Sequence, residues 1–252
     1  MARRFGQHFL ARKSILDRIA SAACDAGTEL VIEIGPGKGA LTESLLPLAP
    51  KIVAIEVDPY LIHYLRQKFL DPISDGRLIL VEGDVLKTDL AAWGPAVVAG
   101  NLPYYITSPI LDRLFHISGT WTRAVFLIQA EVAARLAATP GTRDFGYLSV
   151  QTQLFAVPEI LFPVSRTAFR PPPKVDSAVV RLDPRDAADL GIANVADFLR
   201  FASACFRQKR KTLRNNLAPL YGTERVDSLP EARLRAEQMT IADLAALYRK
   251  LV

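Results

Sequence analysis

The sequence predicts an α/β fold, in which a mostly parallel sheet with one closing antiparallel strand precedes a small all-helical region. Short apolar runs alternate with amphipathic helical patterns as far as Ala138. Two further strand patterns, Glu159–Val164 and Ser177–Leu182, favour a hairpin that closes the sheet. From about Asp183 the patterns are helical only. We therefore place a domain boundary near residue 184, between a domain of residues 1–184 and a second of residues 185–252.

Composition favours a globular protein with a polyanionic partner. Of the 252 residues, 50% are hydrophobic and 23% are charged, which is enough for a substantial core, and the net charge is +5. Cys24 and Cys205 lie too far apart in sequence to suggest a disulfide framework or a zinc site, and the histidines show no metal-ligand spacing. No apolar run approaches transmembrane length, and the N-terminal residues lack a signal-peptide core. We expect a cytoplasmic protein without a metal.

A glycine-rich turn between the first buried strand and its helix predicts a small-molecule site. The apolar run Val31–Ile34 leads to Gly35, Gly37 and Gly39, and a helix is expected over Gly39–Leu48. A phosphate-binding P-loop is excluded because Ile32 occupies the position of its first glycine. A dinucleotide turn is disfavoured because Ala40 replaces its third glycine.

Acidic residues at the ends of the next two strands narrow the choice of ligand. Glu56 lies near the end of the strand pattern Lys51–Asp58, where a carboxylate can accept hydrogen bonds from both hydroxyls of a ribose. After a helix over Pro59–Phe69, the strand Leu78–Glu82 leads to Asp84, which can accept from an exocyclic amine such as that of adenine. A ribose acceptor without a pyrophosphate turn indicates an adenosyl compound, first of all S-adenosylmethionine. The alternatives are that Glu33 and Glu56 only cap strands and that Asp84 is an ordinary turn residue.

The most specific chemical signal follows the fourth strand, Ala96–Ala99. It consists of four consecutive residues: Asn101, Leu102, Pro103 and Tyr104. The lone pair of an exocyclic amine is delocalised into its ring, so the amine is a poor nucleophile. Acceptors on both of its N–H bonds, here the Asn101 side-chain oxygen and the Leu102 carbonyl, favour tetrahedral geometry at the nitrogen, while Tyr104 stacks on the base. A simple Pro-Tyr turn would explain the proline but not the whole set.

The remaining patterns complete the alternation and introduce a rigid loop. We expect helices over Ser108–Phe115, Ala130–Ala138 and Tyr147–Phe155, and a strand over Ala124–Gln129. The loop from Phe169 to Val175 contains three consecutive prolines, which stiffen it in an extended form. It could hold Phe169 as a second stacking surface, and the alternative is a plain core residue.

A basic cluster in the helical region favours a nucleic-acid partner. Its members are Arg207, Lys209, Arg210, Lys211 and Arg214. We place them on a helix that follows Val195–Phe206, and no acid lies between Asp197 and Glu224. Such a cluster can contact successive phosphates of RNA or DNA, although a solvated helix face is the alternative. A capping box at Thr240 predicts a last helix ending at Leu251.

Taken together, these motifs resemble the ribosomal RNA adenine N6,N6-dimethyltransferases. The resemblance rests on the segments Gly6–Leu10, Glu33–Thr42, Gly83–Asp84, Asn101–Tyr104 and Phe169–Val175 together with Glu56. It covers nearly the whole chain and implies a class I methyltransferase domain with a Rossmann-like sheet and a helical RNA-binding domain. The implied cofactor contacts are Gln7, His8, Leu10, Gly35, Gly37, Glu56, Asp84, Val85 and Asn101.

The resemblance implies dimethylation of two adjacent adenosines near the 3′ end of the small-subunit ribosomal RNA during ribosome biogenesis. S-adenosylmethionine is the implied methyl donor, the partner is the RNA or an immature small subunit, and a monomer is expected. One alternative is the related adenine methyltransferase of large-subunit RNA, whose motif tends towards isoleucine where this chain has Leu102. The other is an assembly factor that acts mainly by binding, against which the intact Asn101–Tyr104 set argues.

Overall fold

The computed structural model describes residues 8–117 and 119–252, with all their side chains except that of Asp189. The chain divides into two compact units. The first contains the residues up to Ala133 and Pro158–Pro184, and the second contains Ala134–Val157 and Arg185–Val252. The break after Pro184 lies at the predicted boundary, but the predicted domain of residues 1–184 differs from this division. The segment Ala134–Val157 groups with the second unit because its apolar side chains belong to that unit's core.

Among the residues that the structure describes, nine strands form two sheets. The strands are β1 Phe9–Leu10, β2 Leu30–Ile34, β3 Lys51–Glu56, β4 Leu78–Glu82, β5 Ala96–Asn101, β6 Trp121–Gln129, β7 Ala156–Val164, β8 Phe169–Arg170 and β9 Ser177–Pro184. The large sheet has the order β4-β3-β2-β5-β6-β9-β7. Strands β2 to β6 pair in parallel, and β9 is antiparallel to β6, so the predicted mostly parallel sheet with a closing antiparallel strand is confirmed.

Eleven α-helices occur in the described part of the chain. They are α1 Lys13–Ala23, α2 Ala40–Leu45, α3 Pro59–Lys68, α4 Leu70–Ser74, α5 Thr107–His116, α6 Ala130–Leu136, α7 Tyr147–Phe155, α8 Val195–Cys205, α9 Leu213–Tyr221, α10 Thr223–Asp227 and α11 Ile241–Leu251. None of these described helices is long and apolar enough to cross a membrane. Within the same residues, no group of three or more His, Cys, Asp and Glu side chains could hold a metal ion.

The central strands form where the sequence is continuously apolar, because parallel strands are covered on both faces. Every residue of β2 is buried, and so is every residue of β3 after Lys51. Strand β2 lies between β3 and β5, so the chain leaves it first to one side and later to the other. Open α/β sheets bind their ligands at the carboxyl ends of the strands beside such a reversal.

Some elements differ from the sequence-based prediction. Helix α2 ends at Leu45 rather than Leu48. Strands β1 and β8 were not predicted, and they pair antiparallel, with Phe9 opposite Arg170 and Leu10 opposite Phe169. This small sheet fastens the N-terminal segment to the proline loop.

The second unit is built on a core of its own. Helix α8 buries the predicted face, Phe198, Phe201, Ala202 and Cys205. The predicted capping box of α11 is also present, because Asp243 N donates to Thr240 Oγ1 at 3.1 Å and Thr240 N donates to Asp243 Oδ2 at 3.0 Å.

Candidate active site

A cavity of about 260 Å³ lies at the carboxyl ends of β2, β3, β4 and β5. Nearly all of the predicted site residues line it: His8, Leu10, Gly35, Gly37, Glu56, Asp84, Val85, Asn101, Leu102, Pro103 and Tyr104. Gln7, the other predicted cofactor contact, lies outside the described residues. The structure therefore brings together residues that are spread over much of the first unit.

The glycine turn has a geometry that other residues rarely adopt. Gly35, Gly37 and Gly39 have φ angles of 67°, 59° and 75°, in the left-handed region. At Gly39 a Cβ atom would stand 2.4 Å from the Phe69 ring, and at Gly37 it would stand 3.0 Å from the Phe9 ring. The glycines thus let the turn bend sharply between packed aromatic rings while its backbone lines the cavity.

Glu56 fastens this turn from the end of β3. Its carboxylate is buried and accepts three backbone N–H groups, from Gly37 at 3.1 Å and from Val57 and Asp58 at 3.0 Å each. Burial raises the pKa of Glu56, and these hydrogen bonds oppose the rise. A carboxylate offers about four acceptor positions, so one position on Oε2 is left for a ligand.

Glu33 also lines the cavity, although the sequence analysis considers it only as a residue that caps a strand. It lies within β2 and is only 1% exposed, and its Oε2 accepts from Thr42 Oγ1 at 2.6 Å. Burial raises the pKa of Glu33 to about 7, with a further contribution from the Glu56 carboxylate, while the Thr42 hydrogen bond lowers it. The cavity therefore holds a carboxyl group that titrates near neutral pH.

Asp84 is held by the turn that follows β4. Its Oδ1 accepts from Leu86 N at 2.9 Å, and its carbonyl accepts from Lys87 N and Thr88 N. Asp84 is thus a turn residue, which is the alternative that the sequence analysis names for it. Its second carboxylate oxygen has no hydrogen-bond partner among the described residues, so this oxygen is free to accept from a ligand in the cavity.

The orientation of Asn101 is set by the N-terminal segment. Asn101 Nδ2 donates to the His8 carbonyl at 3.1 Å. Because a carbonyl can only accept, the amide nitrogen must face His8, and Oδ1 faces away from it. Neither Asn101 Oδ1 nor the Leu102 carbonyl has a hydrogen-bond partner within the described residues. Two acceptors on consecutive residues are therefore available at the cavity.

Tyr104 is held by two contacts, one at its hydroxyl and one at its ring. Its hydroxyl lies 2.8 Å from Ser177 Oγ, and the His8 ring stacks on it with centroids 6.1 Å apart and an interplanar angle of 27°. His8 in turn is held by a 2.8 Å hydrogen bond from Nδ1 to the Pro171 carbonyl. Burial raises the pKa of Tyr104, which keeps the phenol neutral. The ring has a defined position before any substrate binds.

The prediction of Phe169 as a second stacking surface is not supported by its position. The side chain is 0% exposed, belongs to the main core of the first unit and does not line the cavity. Its backbone in β8 pairs with that of Leu10, whose side chain belongs to the same core. The alternative interpretation, a plain core residue, is the one that the structure supports.

The basic cluster lies in a loop rather than on a helix. Arg207, Lys209, Arg210 and Lys211 fall between the end of α8 at Cys205 and the start of α9 at Leu213, and all four are exposed. Lys209 donates to the Arg143 carbonyl. Only Arg214 is within a helix, and its guanidinium donates through Nε and Nη2 to both oxygens of Asp227.

The sheet order, the glycine turn after β2 and the acid at the end of β3 together define a class I, Rossmann-like methyltransferase. The acidic lining of the cavity, with Glu33, Glu56 and Asp84, suits a cationic adenosyl ligand such as S-adenosylmethionine. A family model described as ribosomal RNA adenine dimethylase matches residues 1–249. The chain belongs to the ribosomal RNA adenine dimethylase family, which confirms the predicted family, the enzyme class and the S-adenosylmethionine cofactor.

Named relatives and solved structures agree with this assignment. The chain is 40% identical to the ribosomal RNA small subunit methyltransferase A of Chlorobium luteolum, over 98% of this chain and 88% of the relative. It is 41% identical to the protein of the same name from Thiobacillus denitrificans, over 97% and 95%. A dimethyladenosine transferase from Plasmodium falciparum superposes with a TM-score of 0.80 at 29% identity, over 97% and 96%. The 23S rRNA methyltransferase ErmE superposes with a TM-score of 0.74 at 26% identity, over 96% and 99%.

Proposed function

We propose that this protein transfers methyl groups from S-adenosylmethionine to N6 of two adjacent adenosines near the 3′ end of small-subunit ribosomal RNA. The reaction takes place in the cytoplasm during ribosome biogenesis, on the RNA or on an immature small subunit, and the protein acts as a monomer. Relatives about 40% identical over nearly the full chain carry the name ribosomal RNA small subunit methyltransferase A, which supports the small subunit as the target.

The observation that carries the proposal is the pair of free acceptors on Asn101 and Leu102. Asn101 Oδ1 and the Leu102 carbonyl accept the two N–H groups of the adenine amine, which turns the nitrogen lone pair out of conjugation with the ring. Tyr104, whose ring is held by Ser177 and His8, stacks on the base and limits its rotation. Each transfer forms an N–CH3 bond and releases one proton from the nitrogen, so one N–H remains after the first transfer and no second site is needed.

The same cavity contains the residues that would hold the cofactor. The free position on Glu56 Oε2 accepts from a ribose hydroxyl, and the free oxygen of Asp84 accepts from the adenine amine of the cofactor. The backbone of Gly35 and Gly37 permits a close approach. When bound, S-adenosylmethionine supplies an electrophilic methyl group, and the protein positions the attacking nitrogen towards it.

The basic loop of the second unit supplies affinity for the RNA backbone. Arg207, Arg210 and Lys211 are exposed and form no ion pair with any described residue, so they can contact phosphates. Arg214, also predicted to bind RNA, contributes less because its charge is already opposed by Asp227. Lys209 keeps two of its three N–H donors free after its bond to Arg143.

A direct assay tests the proposal against the large-subunit alternative, which the similarity to ErmE raises. The protein and labelled S-adenosylmethionine are incubated with small subunits that lack the two dimethyladenosines, and in parallel with unmethylated large-subunit RNA. We expect label only in the small subunits, at two neighbouring adenosines. Label only in large-subunit RNA would overturn the proposal. Tight binding to small subunits without any methyl transfer would instead favour an assembly factor.

A further inference from the structure

A second tyrosine, Tyr105, lies at the mouth of the cavity with its side chain in solvent. It lines the cavity beside Tyr104, yet it is 63% exposed. Among the described residues, no aromatic ring stacks on Tyr105 and no group forms a hydrogen bond with its hydroxyl. The Tyr105 ring therefore presents a free aromatic face at the edge of a ligand cavity.

The backbone holds Tyr105 in a fixed place. Ile106 N donates to the Pro103 carbonyl at 3.1 Å, which closes a turn with Tyr104 and Tyr105 at its two central positions. Thr107 Oγ1 donates to the same carbonyl at 3.2 Å, and α5 begins at Thr107. When a ligand binds, only the side-chain torsions of Tyr105 must still be ordered. The loss of conformational entropy on binding is therefore small.

The geometry of the substrate explains why a ring is useful there. An adenosine whose N6 reaches Asn101 must leave its stack, and its neighbour in the RNA then loses a stacking partner. Because Tyr105 directly follows Tyr104 and both line the cavity, the exposed ring borders the place where Tyr104 meets the base. Aromatic rings of proteins stack on such unpaired bases with little regard to sequence.

We propose that Tyr105 stacks on the nucleobase next to the adenosine being methylated, and that it holds the second of the two adjacent adenosines while the first is inside. This inference rests on the proposed function, because it takes two neighbouring adenosines as the substrate. It assigns the two rings different tasks: Tyr104 orients the reacting base, and Tyr105 holds its neighbour at the mouth.

The test compares Tyr105→Ala and Tyr105→Phe with a matched control, Tyr60→Ala. Tyr60 lies on α3, is 83% exposed and does not line the cavity. Methyl transfer to unmethylated small subunits is measured as KM for subunits, KM for S-adenosylmethionine and kcat. Since losing one base–tyrosine stack costs about 1–3 kcal/mol, Tyr105→Ala should raise KM for subunits by roughly 5- to 150-fold and leave KM for S-adenosylmethionine unchanged. Tyr105→Phe and Tyr60→Ala should both behave like the parent.

Three results would overturn the inference. The first is an unchanged KM for subunits in Tyr105→Ala. The other two are a rise in this KM as large as that of Tyr105→Ala in either Tyr105→Phe or Tyr60→Ala. Binding of single-stranded oligoadenylate separates this inference from the proposed function. If the parent does not methylate small subunits but oligoadenylate binding still weakens in Tyr105→Ala alone, the proposed function fails and the stacking surface stands.

Discussion

The cavity of the first unit and the basic loop of the second present polar groups in opposite ways. In the cavity, Glu33, Glu56 and Asn101 are each tied by hydrogen bonds that leave particular atoms free. In the loop, Arg210 and Lys211 are exposed and unpaired among the described residues. The first arrangement holds individual acceptor atoms in defined positions, whereas the second only places charge near a surface.

This difference follows from what each region must do. Activating a weakly nucleophilic amine needs acceptors at defined positions, and such positions must be fixed before the substrate arrives. Attraction to phosphates acts over a Debye length and tolerates movement of long side chains. Substitutions in the cavity should therefore change the rate or the cofactor affinity sharply, and substitutions in the loop should change the salt dependence of RNA binding gradually.

The largest effect is expected for Asn101→Ala. Removing one preorganised polar group from a reacting centre typically lowers kcat by about 10²- to 10³-fold, and we expect a loss in that range at saturating substrates. Asn101→Asp keeps an acceptor oxygen but cannot donate to the His8 carbonyl, so it should retain more activity than the alanine variant. Single-turnover methylation of small subunits measures both. A parent-like rate in Asn101→Ala would remove this side chain from the mechanism.

The next effect concerns Glu33→Gln and pH. The folded pKa of Glu33, about 7, is above its ordinary value of 4.5, so its contribution to stability is complete below pH 4.5 and is lost as pH rises through about 7. The glutamine accepts from Thr42 at every pH. At about 1.4 kcal/mol per pH unit, the variant should gain roughly 3 kcal/mol relative to the parent between pH 4.5 and 8. Urea unfolding at several pH values gives the comparison, and parallel stability curves would contradict the raised pKa.

A slightly smaller effect is expected for Glu56→Ala. Loss of a buried hydrogen bond to a charged group costs about 1.5–3 kcal/mol, so calorimetry should show S-adenosylmethionine binding weakened by roughly 10- to 150-fold. Glu82→Ala is the matched control, because Glu82 is exposed, pairs in register with Glu56 at the end of β4 and does not line the cavity. Equal affinities of Glu56→Ala and the parent for S-adenosylmethionine would exclude the ribose role. An equal loss of this affinity in Glu82→Ala would mean that the loss of negative charge, not of a hydrogen bond, weakens binding.

Much of the fold could be predicted because its signals are local. Strand β4 has the predicted bounds, Leu78–Glu82, since an apolar run of that length between Gly76 and Gly83 has few other solutions. The glycine turn and the Asn101–Tyr104 set are also contiguous in sequence, and the structure places both at one cavity. Features that are contiguous in sequence can be predicted without knowing which distant residues they contact.

The features that the sequence did not reveal depend on distant partners. Strands β1 and β8 have two residues each and pair across most of the first unit, so neither has a periodic pattern. Phe169 could equally line a pocket or a core, and its neighbours in sequence do not distinguish between them, whereas the structure places it in the core. The apolar face of α7 would look the same in either unit's core. The basic cluster has good helix formers, yet α9 begins only after Thr212, and propensity alone does not mark that end.

The smallest effect is expected in the basic loop. There the comparison is between cations that form no ion pair with any described residue and Arg214, which is paired with Asp227. Each lost phosphate contact lowers the salt slope of RNA binding by about 0.7–0.9, so Arg210→Gln with Lys211→Gln should lower it by roughly 1.4–1.8. Arg214→Gln should lower it less, because Asp227 already holds that guanidinium, with Nη2 to Oδ2 at 3.0 Å. Cofactor affinity should not change in any of these variants, since none of the three residues lines the cavity.

The measurement is a salt titration of binding to small-subunit RNA, with the double variant, Arg214→Gln and the parent side by side. Because phosphates carry no sequence information, a scrambled RNA of the same length should show the same change in slope. Parallel lines with equal intercepts for all three proteins would mean that the loop is only solvated surface. A larger change for Arg214→Gln than for the double variant would mean that the Asp227 pair opens on RNA, and that ion pairing in the free protein does not predict which cations contact phosphate.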